Sequence, residues 1–335
     1  MNLQWKNYLE SNAASLSEQA DTCFGLSAPS ADCSKYDLSY LGVIRIQGEE
    51  RETFLQGQLT SDTREISPEL SQLSSYCTPK GRMLATMRLV EHQGDWLMIL
   101  PASRLPAVLK RLQMFVMRSK VSLTDASEEF VCLGVNGDCA ASLSDPLPAK
   151  PHQSFSQEAF SLVRVDESAR FMLIVTVNEA ESVWNNLQAD AVDTTHWRLL
   201  DIEAAIPTVF EETTEAFIPQ MTNLQQLDAV SFTKGCYTGQ EVVARMQYLG
   251  KLKRRMFPVS FESATEYPRG AEVFAAASSS GQGAGKLVDV VKTAENAYKA
   301  LAVLELSSME SGDLHLGNEN GPLLHVGELP YELEA

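Results

Sequence analysis

Eight consecutive residues, Lys234 to Glu241, combine side chains that react with or bind other molecules; they read KGCYTGQE. Cys236 is the candidate functional thiol, because cysteine reacts as its thiolate and nearby cations favour that form. Lys234 and, about two helical turns along, Arg245 are the candidate cations. A buried cysteine that seats a turn fits the same position, so both interpretations stay open. The density of Lys, Cys, Tyr and Gln in so short a run favours function.

The second half of this run has the pattern of a helix start. Thr238 followed three residues later by Glu241 predicts a capping box, with Thr238 as the cap. Glu241 and Arg245 are spaced as an i,i+4 ion pair, and Gly250 is placed to end the helix. The predicted apolar face consists of Val242, Val243, Met246 and Leu249. Gly235 and Gly239 let the preceding turn take positive φ and approach a ligand, and the free amides of the helix start would suit an anion.

A basic run follows the predicted helix. Four of the five residues from Lys251 to Arg255 are Lys or Arg, in a chain whose formal charge is −17. A landing site for a carboxylate-rich or phosphate-bearing partner is one interpretation. A charged, solvated edge strand is the other, and it is common.

The elements that must position these residues indicate an α+β fold. An N-terminal segment expected to be helical and weakly ordered precedes a strand, a helix from about 50 to 59 with Gly57 in its middle, an antiparallel meander and an amphipathic helix. Apolar residues of that last helix recur at Leu105, Val108, Leu109, Leu112, Phe115 and Val116. A second α+β region and a closing all-β domain, a small barrel, complete the prediction. The strands are predicted at 41–46, 73–77, 82–90, 96–100, 130–135, 160–165, 171–177, 256–261, 272–276, 286–291 and 298–306.

Composition excludes several classes. A net charge of −17 opposes general binding to nucleic acid, and no stretch has the roughly 20 apolar residues of a membrane helix. We therefore expect a cytoplasmic protein with no membrane association. The six cysteines lack the spacing of a zinc site or a disulfide scaffold. We expect reduced thiols, buried except at Cys236, and no bound metal.

Three motifs in fixed order resemble the YgfZ family of folate-binding proteins. They are Phe54 to Asp62 (FLQGQLTSD), Phe217 to Leu224 (FIPQMTNL) and the KGCYTGQE run. YgfZ proteins are similar to the glycine cleavage T-protein, so the resemblance implies a three-domain ring around a central folate channel. The implied domains are a discontinuous folate-binding domain of residues 1–120 plus 193–250, a second α+β domain of 121–192, and a C-terminal β-barrel domain of 251–335.

The resemblance also implies a ligand and its contacts. The cofactor is expected to be tetrahydrofolate or another reduced folate. Trp197 matches a family aromatic residue, although a core role fits it too, while Gln220 and Asn223 would be polar partners of the pterin. The family's folate-facing aromatic on the first strand falls at Leu41, which has no ring, so adjacent Tyr40 is the candidate substitute. Arg245 is the candidate cation of the site.

One departure from the T-protein decides between two functions. T-proteins carry an acidic pair on a strand after a glycine turn, whereas this chain has Lys80 to Met87, KGRMLATM, without a carboxylate. Loss of such an acid–base group typically costs about 10²–10⁴-fold in rate. Classical T-protein activity is therefore not expected. The resemblance implies an accessory protein that supports iron–sulfur enzymes such as the tRNA methylthiotransferases, and with them tRNA thiolation and processing; we expect a monomer. A folate-dependent one-carbon transferase is the alternative.

Overall fold

The computed structural model describes residues 1–17, 20–29, 33–276, 278, 283–310 and 312–333, and it shows a mixed α+β fold. Helices α1 to α7 span Leu3–Ser11, Arg51–Gln56, Leu105–Val116, Val177–Asn186, Thr194–Glu203, Gln240–Tyr248 and Leu306–Met309. Short 3₁₀ helices span Thr63–Glu65, Asp138–Ser142, Glu211–Thr213, Pro219–Thr222 and Leu224–Leu227. Strands β1 to β19 span Ser15–Leu16, Thr22–Cys23, Ser34–Asp37, Leu41–Gln47, Gln72–Cys77, Met83–His92, Asp95–Pro101, Ser122–Asp125, Phe130–Asn136, Ser154–Ser156, Phe160–Arg164, Arg170–Thr176, Asp190–Ala191, Arg254–Glu262, Glu272–Phe274, Gly285–Ala294, Ala297–Glu305, His315–Leu316 and His325–Val326.

The chain forms two compact units, each assembled from separate segments. The first contains residues 1–58, 62–73 and 87–197, and the second contains residues 59–61, 74–86 and 198–335. The three-domain division expected from the family resemblance stays a prediction. Among the described residues, no helix combines the length and the hydropathy that crossing a bilayer would require.

A five-stranded sheet contains the predicted meander, in the order β5-β6-β7-β4-β8. The side chains of α3 cover it through Leu105, Val108 and Leu112, which are buried as the helical spacing predicted. Phe115 was predicted on the same face but is 43% exposed, one residue before the helix ends. The predicted helix near residue 50 is shorter than expected. It ends at Gln56, so Gly57 is its C-cap and not a mid-helix glycine.

The other sheet of the first unit has the order β10-β11-β12-β9-β3-β13. Its core includes the N-terminal helix, contrary to the expectation of weak order. Trp5 and Leu9 of α1 are buried, and the rings of Trp5 and Trp184 lie 5.7 Å apart. Asn2 caps α1 by accepting hydrogen bonds from the amides of Gln4 and Trp5. Two buried anchors and a cap thus hold a segment whose weak hydrophobic pattern gave little sign of packing.

Cysteine pairing is where the sequence prediction was wrong. Cys33 and Cys139 form a disulfide with their Cα atoms 6.0 Å apart, a separation usual for this bond. The two residues are 106 positions apart, so no local motif could signal their pairing. Cys77 and Cys132 are buried, as expected, whereas Cys23 is exposed.

The second unit ends in a sheet of order β18-β15-β16-β17-β14-β19, antiparallel throughout and curled. The predicted long strands are present within about three residues of their expected limits. Two buried ion pairs stabilise this unit. The Asp289 carboxylate accepts hydrogen bonds from Arg198 at 2.5 Å and from Arg269 at 2.7 Å. Asp289 has a lowered pKa because the two guanidinium groups outweigh its burial.

Candidate functional site

The middle motif, the third motif and residues 59–61 of the first motif lie in the second unit. Lys234 is 5% exposed, and its Nζ donates hydrogen bonds to the backbone oxygens of Leu59 at 2.8 Å and Ser61 at 2.6 Å. The same nitrogen lies 5.1 Å from the centre of the Tyr237 ring. A buried ammonium needs such partners, because removing it from water is otherwise costly. The hydrogen bonds of the Lys234 side chain therefore link the third motif to residues of the first.

Thr60 fastens the same two segments from the other side. Its backbone oxygen accepts from the Ser231 amide at 2.9 Å, and its Oγ1 donates to the Ala229 oxygen at 2.7 Å. Both Thr60 and the Lys234 side chain are buried, so these bonds are shielded from water. The backbone that leads into Cys236 is thus held in place before it reaches the cysteine.

Cys236 is exposed, in contrast to Lys234 and Tyr237. Gly235 is exposed beside it, while Tyr237 on the other side is 7% exposed. Lys234 and Arg245 were the expected cationic supports of the thiol. Lys234 binds backbone oxygens instead, and Arg245 pairs with Glu241 at 2.8 Å on an exposed helix face. The predicted ion pair is confirmed, and the functional role of the thiol stays a prediction.

The helix after the motif begins one residue later than the capping box required. Its N-cap is Gly239, at φ +89°, and no side chain caps it. A Cβ at this position would lie 2.6 Å from the Thr78 oxygen and 3.2 Å from the Cys77 Cβ. Two features therefore require glycine at position 239: the left-handed backbone and the close approach of the Thr78 oxygen and the Cys77 Cβ. The Thr238 cap was wrong because the left-handed turn at Gly239 takes its place; Gly235, by contrast, has no positive φ.

Helix α6 packs against the turn before β6 and against the middle motif. Val243 is its buried residue, and a Cβ at Gly81 would lie 2.9 Å from the Val242 Cβ. The predicted apolar face is correct there but does not reach Leu249, which is 86% exposed. Gln220 of the middle motif donates from Nε2 to the Val243 oxygen at 2.6 Å.

Two buried amides of the middle motif keep an unused acceptor. Asn223 donates from Nδ2 to the Met256 oxygen at 2.9 Å and to the Tyr331 hydroxyl at 3.3 Å. Gln220 Oε1 and Asn223 Oδ1 accept no hydrogen bond from the described residues, although both side chains are nearly fully buried. Buried acceptors of this kind usually have a partner. They fit a ligand that presents N–H donors.

The part of β6 where T-proteins would carry their acidic pair, Leu84 to Thr86, is buried in this chain. Ala85 is fully buried. Thr86 accepts a hydrogen bond from the Val209 amide at 3.0 Å through its Oγ1. The run from Lys80 to Met87 therefore provides no carboxylate at the place of the acidic pair.

The remaining folate candidates lie in the first unit. Trp197 is 1% exposed and packs with its ring centre 5.4 Å from that of Tyr36 and 4.8 Å from the Arg170 guanidinium. Its ring fills the space where Gly134 would carry a Cβ. That environment is sufficient for a core residue. Tyr40 is also buried and Leu41 is partly buried at the start of β4, so contacts of these three residues with folate stay predictions.

The basic run does not form one continuous patch. Lys251 and Lys253 are exposed, whereas Arg254 is partly buried and donates to the Gly283 oxygen at 2.6 Å. Burial lowers the pKa of Arg255, which is also partly buried. Neither a binding site for an anionic partner nor a solvated edge strand therefore describes the whole run from Lys251 to Arg255. Each can apply only to part of it.

Cys77 is a member of this site that the sequence did not single out. Its burial raises the pKa of the thiol to about 12, and the nearby thiol in turn contributes to a raised pKa of Tyr237, whose main cause is burial. No local motif marks Cys77. Its role emerges only because β5 ends directly beneath Gly239.

Comparison with solved structures first defines the class. The chain has the fold of aminomethyltransferase T of the glycine cleavage system: it aligns to the Bartonella henselae protein with a TM-score of 0.73, over 98% of this chain and 97% of that chain. Sequence identity is 14%, so this likeness concerns the fold alone. No family model matches the chain.

Curated relatives then identify the family. The tRNA-modifying protein YgfZ of Klebsiella pneumoniae (strain 342) is 30% identical over 296 residues, which cover 86% of this chain and 90% of the relative. The protein of the same name from Colwellia psychrerythraea is 34% identical over 233 residues, covering 66% of this chain and 69% of the relative. The chain belongs to the YgfZ family, as the three motifs indicated.

Proposed function

We propose that this chain is a folate-binding accessory protein of tRNA modification, in which Cys236 is the functional thiol. The supporting observation is the contrast around that residue: an exposed cysteine stands on a turn whose flanking residues, Lys234 and Tyr237, are buried and bonded. A cysteine that merely filled a core would be buried itself. The printed name of the relatives, tRNA-modifying protein, supports the assignment to tRNA modification.

The folate part of the proposal includes a three-domain ring with a central channel, by analogy with the T-protein fold. Gln220 and Asn223 would hold the pterin, because their unused, buried oxygens can accept from its amino and ring N–H groups. Tyr40, Leu41 and Trp197 are the proposed contacts from the first unit, and Arg245 the proposed cation. Tetrahydrofolate, when bound, supplies nitrogen atoms that accept one-carbon units.

Calorimetric titration of the full chain tests the folate part. We expect tetrahydrofolate to bind, and p-aminobenzoylglutamate, which keeps the carboxylates but lacks the pterin ring, to bind at least about tenfold more weakly. Absence of heat with tetrahydrofolate up to millimolar concentration would remove the folate claim. Equal binding of the two ligands would remove the roles of Gln220 and Asn223.

A cellular assay tests the tRNA part independently. In a bacterium lacking its own YgfZ protein, expression of this chain should restore methylthiolated nucleosides, measured by mass spectrometry of digested tRNA. We propose that the direct beneficiaries are iron–sulfur enzymes of the methylthiotransferase type. Their cluster content, measured by iron and sulfide analysis, should recover with the modification. Unchanged tRNA in cells that contain folded protein would contradict this function.

An enzyme is the second candidate, favoured by the T-protein fold. Ala85 and Thr86 oppose it, because neither can serve as the carboxylate that assists aminomethyl transfer. Incubation of purified protein with methylene-tetrahydrofolate or with methylated amines decides the matter. Turnover that releases formaldehyde or consumes the folate would favour the enzyme, and its absence the accessory role.

A further inference from the structure

The second unit contains a recess, of about 540 Å³, that the proposed function does not use. One wall is the curled C-terminal sheet. Glu272 pairs with Lys286, and Lys286 pairs with Val303, across β15, β16 and β17. Directly paired residues point to the same face of a sheet, so these three side chains line one continuous row. Arg254 of β14 completes this wall.

The opposite wall is held by the start of β6. Arg82 donates from Nη1 to the Ala216 oxygen at 2.7 Å, and the Met83 amide donates to the Phe217 oxygen at 2.9 Å. Glu215 in this wall has φ +59°, a left-handed conformation that costs a non-glycine residue on the order of 1 kcal/mol. The Glu215 amide, donating to the Met83 oxygen at 2.8 Å, helps to fix it there. Strained residues that neighbouring bonds enforce cluster at binding sites.

The charges of this recess are incompletely paired. It contains three cations, Arg82, Arg254 and Lys286, and two carboxylates, Glu215 and Glu272. Arg254 also lies opposite Glu305 in the pairing of β14 with β17, and its charge contributes to a lowered pKa of Glu305. Lys286 and Glu272 form an ion pair at 3.4 Å. Among the described residues, by contrast, Arg82 contacts no carboxylate and the Glu215 carboxylate makes neither a hydrogen bond nor an ion pair.

The remaining lining is apolar and sits between the charged groups. Phe217, Met221 and Val303 provide it. A volume of this size is in the range of small-molecule sites, which combine apolar walls with a few fixed polar groups. A guanidinium with unused N–H groups is the side chain best suited to a carboxylate or a phosphate.

The geometry points to a binding site for a small organic anion, with a carboxylate or phosphate group on Arg82 and an apolar body against Phe217 and Met221. Arg254 and Lys286 lie on the sheet side, each beside a carboxylate. Glu215 repels the same ligand and so limits its affinity. The lining of this recess includes neither Cys236 nor any of the proposed folate contacts, so either proposal can fail alone.

Calorimetry of the full chain at low salt, with three probes, tests the site. 3-Phenylpropionate and phenyl phosphate carry the two anionic groups, whereas phenethylamine presents a similar ring with the opposite charge. We expect at least one anion to bind with a dissociation constant of about 1 mM or tighter, and the amine at least about tenfold more weakly. The tighter anion identifies the group. Binding of neither anion, or equal binding of the amine, would overturn the proposal.

Variants assign the binding to this recess. Arg82→Met should weaken the anion about tenfold or more, and Lys286→Met serves the same purpose if the first variant does not fold. Glu215→Gln should strengthen it about threefold, because it removes a like charge. Lys299→Met is the matched control, since Lys299 lies on the same sheet and pairs with Glu203. Unchanged binding in both cation variants, or weaker binding in Glu215→Gln, would place the anion elsewhere.

Discussion

Lys234 and Cys236 stand two residues apart in one turn, in opposite surroundings. Lys234 is buried, and its ammonium binds two backbone oxygens from a distant segment. Cys236 is exposed, and no described residue makes a hydrogen bond or ion pair with its side chain. The difference separates two duties that the sequence had combined: Lys234 positions the turn, whereas Cys236 is left available for chemistry. Substitutions that affect folding and function differently can break this division.

Thiol accessibility gives the largest expected contrast. Buried Cys77 and Cys132 have pKa values raised to about 12 by burial, so near pH 8 almost none of their thiol is ionised. Relative to an unperturbed pKa of 9.0, about a thousandfold less thiolate is present. Iodoacetamide should therefore modify only Cys23 and Cys236 in the native protein, as peptide mass spectrometry would show. Rapid native modification of Cys77 would contradict the packing beneath Gly239.

Cys236→Ser should abolish the tRNA modification in the complementation assay while changing the free energy of unfolding by less than about 0.5 kcal/mol. The exposed thiol has no packing to lose. Cys23→Ser is the matched control, because Cys23 is also an exposed free cysteine, and it should leave the modification intact. A large loss of stability in Cys236→Ser would return Cys236 to a structural role.

Lys234→Met should lower the free energy of unfolding by about 2–4 kcal/mol, because the oxygens of Leu59 and Ser61 lose their buried donor. Urea denaturation measures this loss. The exposed pair of Lys299 and Glu203 supplies the comparison, since Lys299→Met should cost less than about 1 kcal/mol. Equal stability of the two variants would show that the hydrogen bonds of Lys234 do not hold the turn in place.

Gly239→Ala should cost about 2 kcal/mol, from the positive φ and the approach to the Thr78 oxygen. Gly235→Ala tests the other half of the turn. A methyl group added at Gly235 would meet no heavy atom within 4 Å, and Gly235 has no positive φ. The Gly235 change should therefore stay within about 0.5 kcal/mol. Thermal unfolding of the two variants, side by side, would reveal whether the buried and exposed halves differ as described.

Arg245→Ala should have the smallest effect, a loss of about 0.3–0.5 kcal/mol. Its ion pair with Glu241 is exposed, so water and salt weaken it. The loss should shrink at high salt, which urea denaturation at two ionic strengths would show. A salt-independent loss above about 1 kcal/mol would mean that Arg245 has a buried partner.

Regular elements were predictable where one local pattern decided them. The strands of the C-terminal sheet and helix α3 follow from alternation and from helical spacing, and both are present. The start of α6 was not predictable in detail, because two patterns competed and the left-handed Gly239 replaced the Thr238 cap. Which of these residues takes the cap depends on Thr78 and Cys77, which no nearby sequence specifies.

The site itself was only partly predictable for the same reason. The motif residues were identified from their types, but the position of the Lys234 ammonium depends on oxygens of Leu59 and Ser61, far away in the sequence. Backbone oxygens belong to every residue and leave no mark in a sequence. The disulfide of Cys33 and Cys139 was not predictable for the same reason, because the fold alone brings the two thiols together.

The bond from Lys234 to the Leu59 oxygen joins residues 175 positions apart. During synthesis, a ribosome must therefore deliver most of the chain before the Lys234 side chain can bind the Leu59 oxygen and support the turn that carries Cys236. A prematurely terminated chain that stops before residue 234 lacks both Lys234 and Cys236. It therefore cannot expose the Cys236 thiol without the support of Lys234. The order of the motifs along the gene thus makes assembly of the support and appearance of the cysteine nearly simultaneous.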